Sequence, residues 1–194
     1  MSKLIVFEGV DNSGKTTASK LVAEALGWAW NKEPRFSTEI ADQLNAMGST
    51  ITEREREELF YKSRIEAQET YSQNTILDRY TWTGLAYAKV FSPSVYHDYI
   101  PSYSPGNGLF KDPDAFVFLD TDLEVCLQRE PAVGLQRLER IREAYEATRP
   151  LFWTIPIITI SQPKRAIMTP EQIRDLVVAE LQITGVISRL ETIL

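Results

Sequence analysis

Gly9-Val10-Asp11-Asn12-Ser13-Gly14-Lys15-Thr16 fits the spacing G-x-x-x-x-G-K-[ST], a pattern whose residue types suit a triphosphate tail. The glycines let backbone N–H groups converge on phosphate oxygens, and a helix starting at the loop adds a favourable dipole. Lys15 places a point charge on the β- and γ-phosphates, and the Thr16 hydroxyl is a ligand for Mg²⁺. Such a loop selects a nucleotide, not a reaction. GTPases also need a guanine-reading Asn-Lys-x-Asp segment late in the chain, and Asn31-Lys32-Glu33-Pro34 comes too early and lacks the aspartate. ATPase motors are usually larger, so the loop in a chain of 194 residues points to a small-molecule kinase and prompts a search for an acceptor site.

The flanking elements agree with this use of the loop. The run from Leu4 to Phe7 reads as a buried strand, and Ala18, Leu21, Val22, Ala25 and Leu26 form a helical stripe stopped by Gly27. Further strands are expected at Trp28 to Trp30, Thr75 to Leu77, Ala115 to Leu119 and Ile155 to Ile160. Thr52 with Glu55, Thr121 with Glu124, and Thr169 with Gln172 have the spacing of reciprocal helix caps, the last with Pro170 in the first turn. Strands alternating with helical patterns predict an α/β fold, a three-layer arrangement of helices around a central parallel sheet. The length predicts one domain over 1–194. Ser92 to Asp114 carries four prolines and two glycines and is expected to be irregular.

Composition narrows the partners. Lys+Arg is 21 against Asp+Glu 27, a formal net charge of −6, which argues against a nucleic-acid binder. Hydrophobic residues make up 43%, yet no apolar run approaches a membrane span. With one cysteine, Cys126, no intrachain disulfide forms; the start of the chain lacks a signal peptide's apolar core, and a cytoplasmic protein is expected. Cys126 reads as a small buried hydrophobe on a helix and His97, the single histidine, as a loop residue. Glu53 to Glu58 reads as a solvated charged face.

Asp78-Arg79 follows the predicted strand Thr75-Ile76-Leu77, and ligands collect at strand C-termini in parallel sheets. Arginine offers a planar fork that holds phosphate oxygens bidentately. Phe60, Arg64 and Gln68 fall on one helix face by their i, i+4, i+8 spacing, which by itself also suits an ordinary amphipathic helix.

Taken together, Phe7 to Thr17, with its acidic Asp11, resembles the F-E-G-x-D-x-S-G-K-T-T loop of the thymidylate kinase family. Asp78-Arg79-Tyr80-Thr81-Trp82-Thr83-Gly84-Leu85-Ala86-Tyr87 resembles that family's D-R-Y-x-x-S-G-x-A-Y segment, Glu33-Pro34 its E-P turn, Leu59 to Arg64 its L-F-x-x-x-R, and Pro113 to Asp120 its strand ending in L-D. The resemblance implies phosphoryl transfer from MgATP to a deoxynucleoside monophosphate, first of all dTMP to dTDP. It implies donor-phosphate binding by Gly9, Val10, Asp11, Asn12, Ser13, Gly14, Lys15, Thr16 and Thr17, and an acceptor site from Glu33, Pro34, Phe60, Arg64, Arg79, Thr83, Gly84, Tyr87 and Tyr145. Phe60 would stack on the base, Arg64 would reach it, Arg79 would bridge the two phosphates, and Tyr87 would pack where a 2′-hydroxyl would sit. Thr16, Asp78 and Glu146 would serve the metal, and Lys15, Asp11, Arg79 and a lid arginine the transfer. The stretch 129–140 stands at the lid but is shorter than the family's arginine-rich loop; Arg137 ranks first among Arg129, Arg137 and Arg140 because it follows Gly134 closely. A homodimer follows by family analogy. A deoxynucleoside kinase, with Glu33 as base, and a non-catalytic nucleotide-binding protein stay open as alternatives.

Overall fold

The structure, a computed structural model, describes residues 2–35, 37–47 and 50–188. Five parallel strands form one sheet in the order β2-β3-β1-β4-β5: β1 Leu4–Glu8, β2 Ala29–Lys32, β3 Thr75–Asp78, β4 Ala115–Thr121 and β5 Ile157–Gln162. The helices are α1 Lys15–Leu26, α2 Thr38–Met47, α3 Glu53–Gln68, α4 Thr81–Phe91, α5 Tyr96–Tyr103, α6 Leu123–Arg129, α7 Leu135–Thr148 and α8 Pro170–Ile183. Strand alternation sorts the core into two layers. Ile5 and Phe7 of β1 join Ile76, Val117 and Leu119 beneath α1 and α8, whereas Leu4 and Val6 join Leu77, Phe116 and Phe118 beneath α4 and α7. Glu8 continues the second face, which brings a carboxylate to the buried start of α4.

The α/β expectation holds; β1, β3 and β4 run one to two residues past the apolar patterns, whereas β2 starts one residue and β5 two residues later than expected. Gly27, at φ 63°, closes α1 as expected. Thr52–Glu55 and Thr169–Gln172 form reciprocal caps. Thr121 does not cap: it ends β4, fully buried, and donates to the Ser13 carbonyl at 2.9 Å, while Asp122 caps α6 by accepting from the Glu124 amide. The irregular stretch expected after Ser92 contains α5, and His97 lies exposed on that helix rather than in a loop. Tyr96, Tyr99 and Tyr103 are buried on its inner face, and their apolar area outweighs the break at Pro101 near its end. Cys126 is buried, as expected. Among the described residues no helix is long and apolar enough to cross a membrane.

Candidate active site

Every loop that could bind phosphate leaves the C-terminal edge of the sheet. β1 delivers the glycine loop, and Gly9 turns it at φ 140°, where a Cβ would stand 2.7 Å from the Leu119 carbonyl oxygen; no side chain fits there. Asp11 to Thr17 line a cavity of about 670 Å³, with Gly9 and Val10 buried beneath it. Lys15 is only 4% exposed, donating to the Val10 carbonyl at 2.5 Å and to Ser13 Oγ at 3.3 Å. Burial, reinforced by Arg79, lowers its pKa to about 7 against the pull of Asp78, Asp11 and Glu8. A phosphate arriving at the loop supplies the counter-charge that Lys15 lacks.

β3 delivers Asp78 and Arg79. The Thr16 hydroxyl donates to Asp78 Oδ2 at 2.5 Å, and Lys32 approaches the same oxygen at 3.8 Å. Asp78 Oδ1 is buried without a hydrogen-bond partner. An orphaned carboxylate oxygen beside a hydroxyl is a donor set that suits a hard divalent cation. Glu146, expected to join it, is exposed on α7 and lines neither cavity, because the helix turns Tyr145 inward and its neighbour out.

Arg79 adopts φ 75°, a left-handed conformation that costs a non-glycine residue of order 1 kcal/mol and is held by surrounding contacts. Its amide donates to the Phe7 carbonyl at 2.9 Å; Nη2 donates to Asp11 Oδ1 at 2.6 Å and Nη1 to the Tyr87 hydroxyl at 3.0 Å. The Tyr87 hydroxyl also donates to Asp11 Oδ1 at 2.6 Å. Burial alone would raise the Asp11 carboxyl, but Arg79, Tyr87 and Lys15 outweigh it and hold its pKa below the ordinary value. Burial likewise opposes the Arg79 charge, and Tyr87, Tyr145 and Asp11 more than compensate.

A second cavity, of about 330 Å³, opens on the other side of Arg79. Pro34, Phe60, Arg64, Arg79, Thr83, Gly84 and Tyr87 line it, so the structure brings together most of the acceptor residues read from the sequence. Arg64 is 3% exposed, with Nη1 donating to the Tyr103 hydroxyl at 2.9 Å and Nε unpartnered. Gly84 lets it lie there, since a Cβ would come within 3.3 Å of the guanidinium and 3.1 Å of the Tyr103 ring.

Two of the expected acceptor contacts need correcting, and one residue of the shared helix face turns elsewhere. Glu33 is fully buried behind the cavity, accepting from the Tyr71 hydroxyl and from the Arg35 amide, and burial raises its pKa. In that position Glu33 is not among the residues lining the acceptor cavity. Tyr145 is fully buried; its hydroxyl meets Thr83 Oγ1 at 2.6 Å and Glu8 Oε2 at 3.0 Å, so it supports the cavity floor instead of facing a base. Gln68 leaves the shared face to bond the Leu109 carbonyl and the Lys111 amide.

The lid is a short connection. Pro131–Val133 form one 3-10 turn, and Gly134, at φ 77°, starts α7. Arg137 lines the acceptor cavity, sits 3.4 Å from Asp11 Oδ2 and lies 4.7 Å over the Phe91 ring centroid. Arg129 lines the donor cavity and donates to the Asn12 carbonyl at 2.7 Å. Arg140, the remaining lid candidate, donates to the Val90 carbonyl at 3.0 Å and lines neither of these cavities.

Sequence reasoning missed Glu8, the buried hub that accepts from the Tyr80 and Thr83 amides and the Thr83 hydroxyl. It also missed Arg56, Glu57 and Phe91, which wall the acceptor cavity. Glu57 is buried inside the run read as a solvated face; its position three residues before Phe60 was the available signal.

A family profile for thymidylate kinase matches residues 7–167. The probable thymidylate kinase of Methanococcus maripaludis is 32% identical over 149 residues, covering 73% of this chain and 71% of its own. The thymidylate kinase of Schizosaccharomyces pombe is 32% identical over 155 residues, 72% of this chain and 70% of its own. Among solved structures, deoxyadenosine kinase from M. mycoides superposes with a TM-score of 0.67 at 17% identity, covering 93% of this chain and 99% of that one. Thymidylate kinase from Ehrlichia chaffeensis does so at 0.62 and 22% identity, covering 93% and 98%. At these identities the structural likeness speaks for the fold.

Proposed function

This chain belongs to the thymidylate kinase family, and from that premise we propose that it transfers the γ-phosphoryl group of ATP to dTMP, giving ADP and dTDP. One observation carries the reading: Arg79 lines both cavities, so a single guanidinium stands between a triphosphate site and a site of nucleotide size. In the reaction an acceptor phosphate oxygen attacks the γ-phosphorus and the bond to the β-phosphate bridging oxygen breaks. A phosphate monoester is already ionised, so no protein base is required, and catalysis reduces to positioning and charge neutralisation.

The residues divide that work. Lys15 and the loop amides hold the donor phosphates, and Arg79 holds the phosphates of donor and acceptor together. Asp11 keeps Arg79 and Tyr87 in register and draws Arg137 toward them. Phe60 and Arg64 receive the base, and Tyr87 fills the space beside the sugar. Thr16 and Asp78 would hold Mg²⁺, which when bound neutralises β- and γ-phosphate charge. Arg137 and Arg129 are the lid cations, on the acceptor and donor sides respectively. The wider proposal treats 1–194 as one domain working on small-molecule nucleotides in the cytoplasm, with a homodimer by family analogy.

The test is ADP release with dTMP, with thymidine and with neither. Turnover with dTMP alone is expected. Faster turnover of thymidine would move the protein to the deoxynucleoside kinases, and no turnover with any acceptor would leave a nucleotide-binding protein.

A further inference from the structure

One wall of the acceptor cavity is built where α3 meets the end of α4, and there Glu57, outside the family motifs, stands beside Phe60 and Arg64. Glu57, Phe60 and Arg64 are spaced i, i+3, i+7, so they share one helix face, and all three line the cavity. The Glu57 side chain is 6% exposed, yet it lines the cavity. Its Oε1 accepts from Ser92 Oγ at 2.7 Å. Arg56 lies beside it, with Nε 3.9 Å away, but spends its Nη2 on the Phe91 carbonyl and on Ser92 Oγ. An ionised carboxylate has about four acceptor sites, and a buried one with a single hydroxyl donor is costly. Burial accordingly raises the Glu57 pKa against the pull of Ser92 and the two arginines. Arg64, which lines the same cavity, has its Nε buried without a partner. A cavity lined by an under-supplied acceptor, an under-used donor and a stacking ring is matched to a planar ligand carrying both N–H and C=O groups.

We infer that Glu57 is a specificity-determining residue of the acceptor site, its carboxylate accepting a hydrogen bond from an N–H of the acceptor base that lies on Phe60. The inference rests on the reading of this cavity as the dTMP site, and for that substrate the N–H is the imide N3–H. Pairing then supplies the donor that Glu57 lacks, and a base without that hydrogen leaves a buried carboxylate facing an alkyl group.

Wild-type protein is assayed with ATP and either dTMP or its N3-methyl analogue, and Glu57→Met is assayed beside it. A lost hydrogen bond to a buried polar group costs on the order of 10- to 100-fold in kcat/KM, so the wild type should disfavour the methylated substrate by about that factor. In Glu57→Met the dTMP KM should rise about tenfold or more. The preference over the methylated substrate should fall to roughly threefold or less, with the ATP KM and the circular dichroism spectrum unchanged. A purely structural Glu57 would not move that preference. Wild-type protein that turns over both substrates equally overturns the inference even if the variant does not fold, as does a folded variant that keeps the wild-type preference. Absence of dTMP turnover in the wild type overturns the functional reading and this inference with it.

Discussion

Lys15 is the group whose ionisation the structure ties most tightly to ligand binding. The residue is 4% exposed, and burial brings its pKa from 10.5 to about 7. The unfolded chain keeps the ordinary lysine value, so between those two pH values the unfolded state binds more protons than the folded one. Stability of the free protein therefore rises with pH through this window. Linkage across such a shift gives about 2 kcal/mol between pH 7 and pH 9, or roughly 4–8 °C in Tm for a chain of this length. The buried tyrosines have raised pKa values, so they oppose the trend only above about pH 10. Burial raises the pKa of Glu8, Glu33 and Glu57, which opposes the trend, whereas Asp11 is held below its ordinary value; the Lys15 contribution is therefore read as the difference in slope between wild type and Lys15→Met. ATP reverses the perturbation. Its phosphates favour the charged amine, so binding at pH 8 should take up nearly one proton, about 0.9 for a free-state pKa of 7. Titration calorimetry in buffers of different ionisation enthalpy measures that uptake, and thermal melts from pH 7 to 9 measure the stability slope. Lys15→Met should abolish turnover, flatten the slope and leave the free protein at least as stable at pH 7, since it removes a buried charge. Buffer-independent binding enthalpies together with an unchanged slope in Lys15→Met would refute the argument.

Phe60→Ala should raise the dTMP KM about 10- to 100-fold with little change for ATP, because base–aromatic stacking contributes on the order of 1–3 kcal/mol; initial rates with each substrate varied in turn check it. Arg137→Ala should lower kcat by a factor on the order of 10³ with the acceptor KM little changed, as expected for a cation engaged at the transferred group. Arg129→Ala, which loses the contact to the Asn12 carbonyl, should instead raise the ATP KM. Gly84→Ala should raise the acceptor KM while leaving the melting temperature within a few degrees. The methyl group must displace Arg64 or Tyr103, at a cost of about 1–3 kcal/mol, and the helix regains roughly 1 kcal/mol from losing a glycine.

The glycine loop, the strand before it and the helix after it were legible because their physics is local: Gly9 to Thr16 carry the chemistry, Leu4 to Phe7 the buried strand, and Gly27 the stop. The helix caps at Thr52 and Thr169 were legible for the same reason, each being closed within three residues. Asp78 and Arg79 could be placed at a ligand-bearing strand end, but the backbone strain at Arg79 and its hold by Asp11 and Tyr87 join residues up to 76 positions apart. Such contacts exist only once β1 and β3 are neighbours. The errors have the same origin. Thr121 has the spacing of a cap but is consumed by the end of β4, and the proline-rich stretch after Ser92 folds into α5 because three tyrosines gain burial against α3 and α4. Tyr145 and Glu33 have the right types for an acceptor site, yet hydroxyl and carboxylate partners from distant segments take them into the interior. Glu57 is the reverse: it lies in a run of charges that reads as a solvated face, and only the seating of α3 against Ser92 turns it toward the cavity. Residue type and spacing decided which chemistry this chain can support, whereas which side chains face the ligand was decided by tertiary burial, because whether a polar group is spent inside the protein or left for a substrate depends on partners far away along the chain.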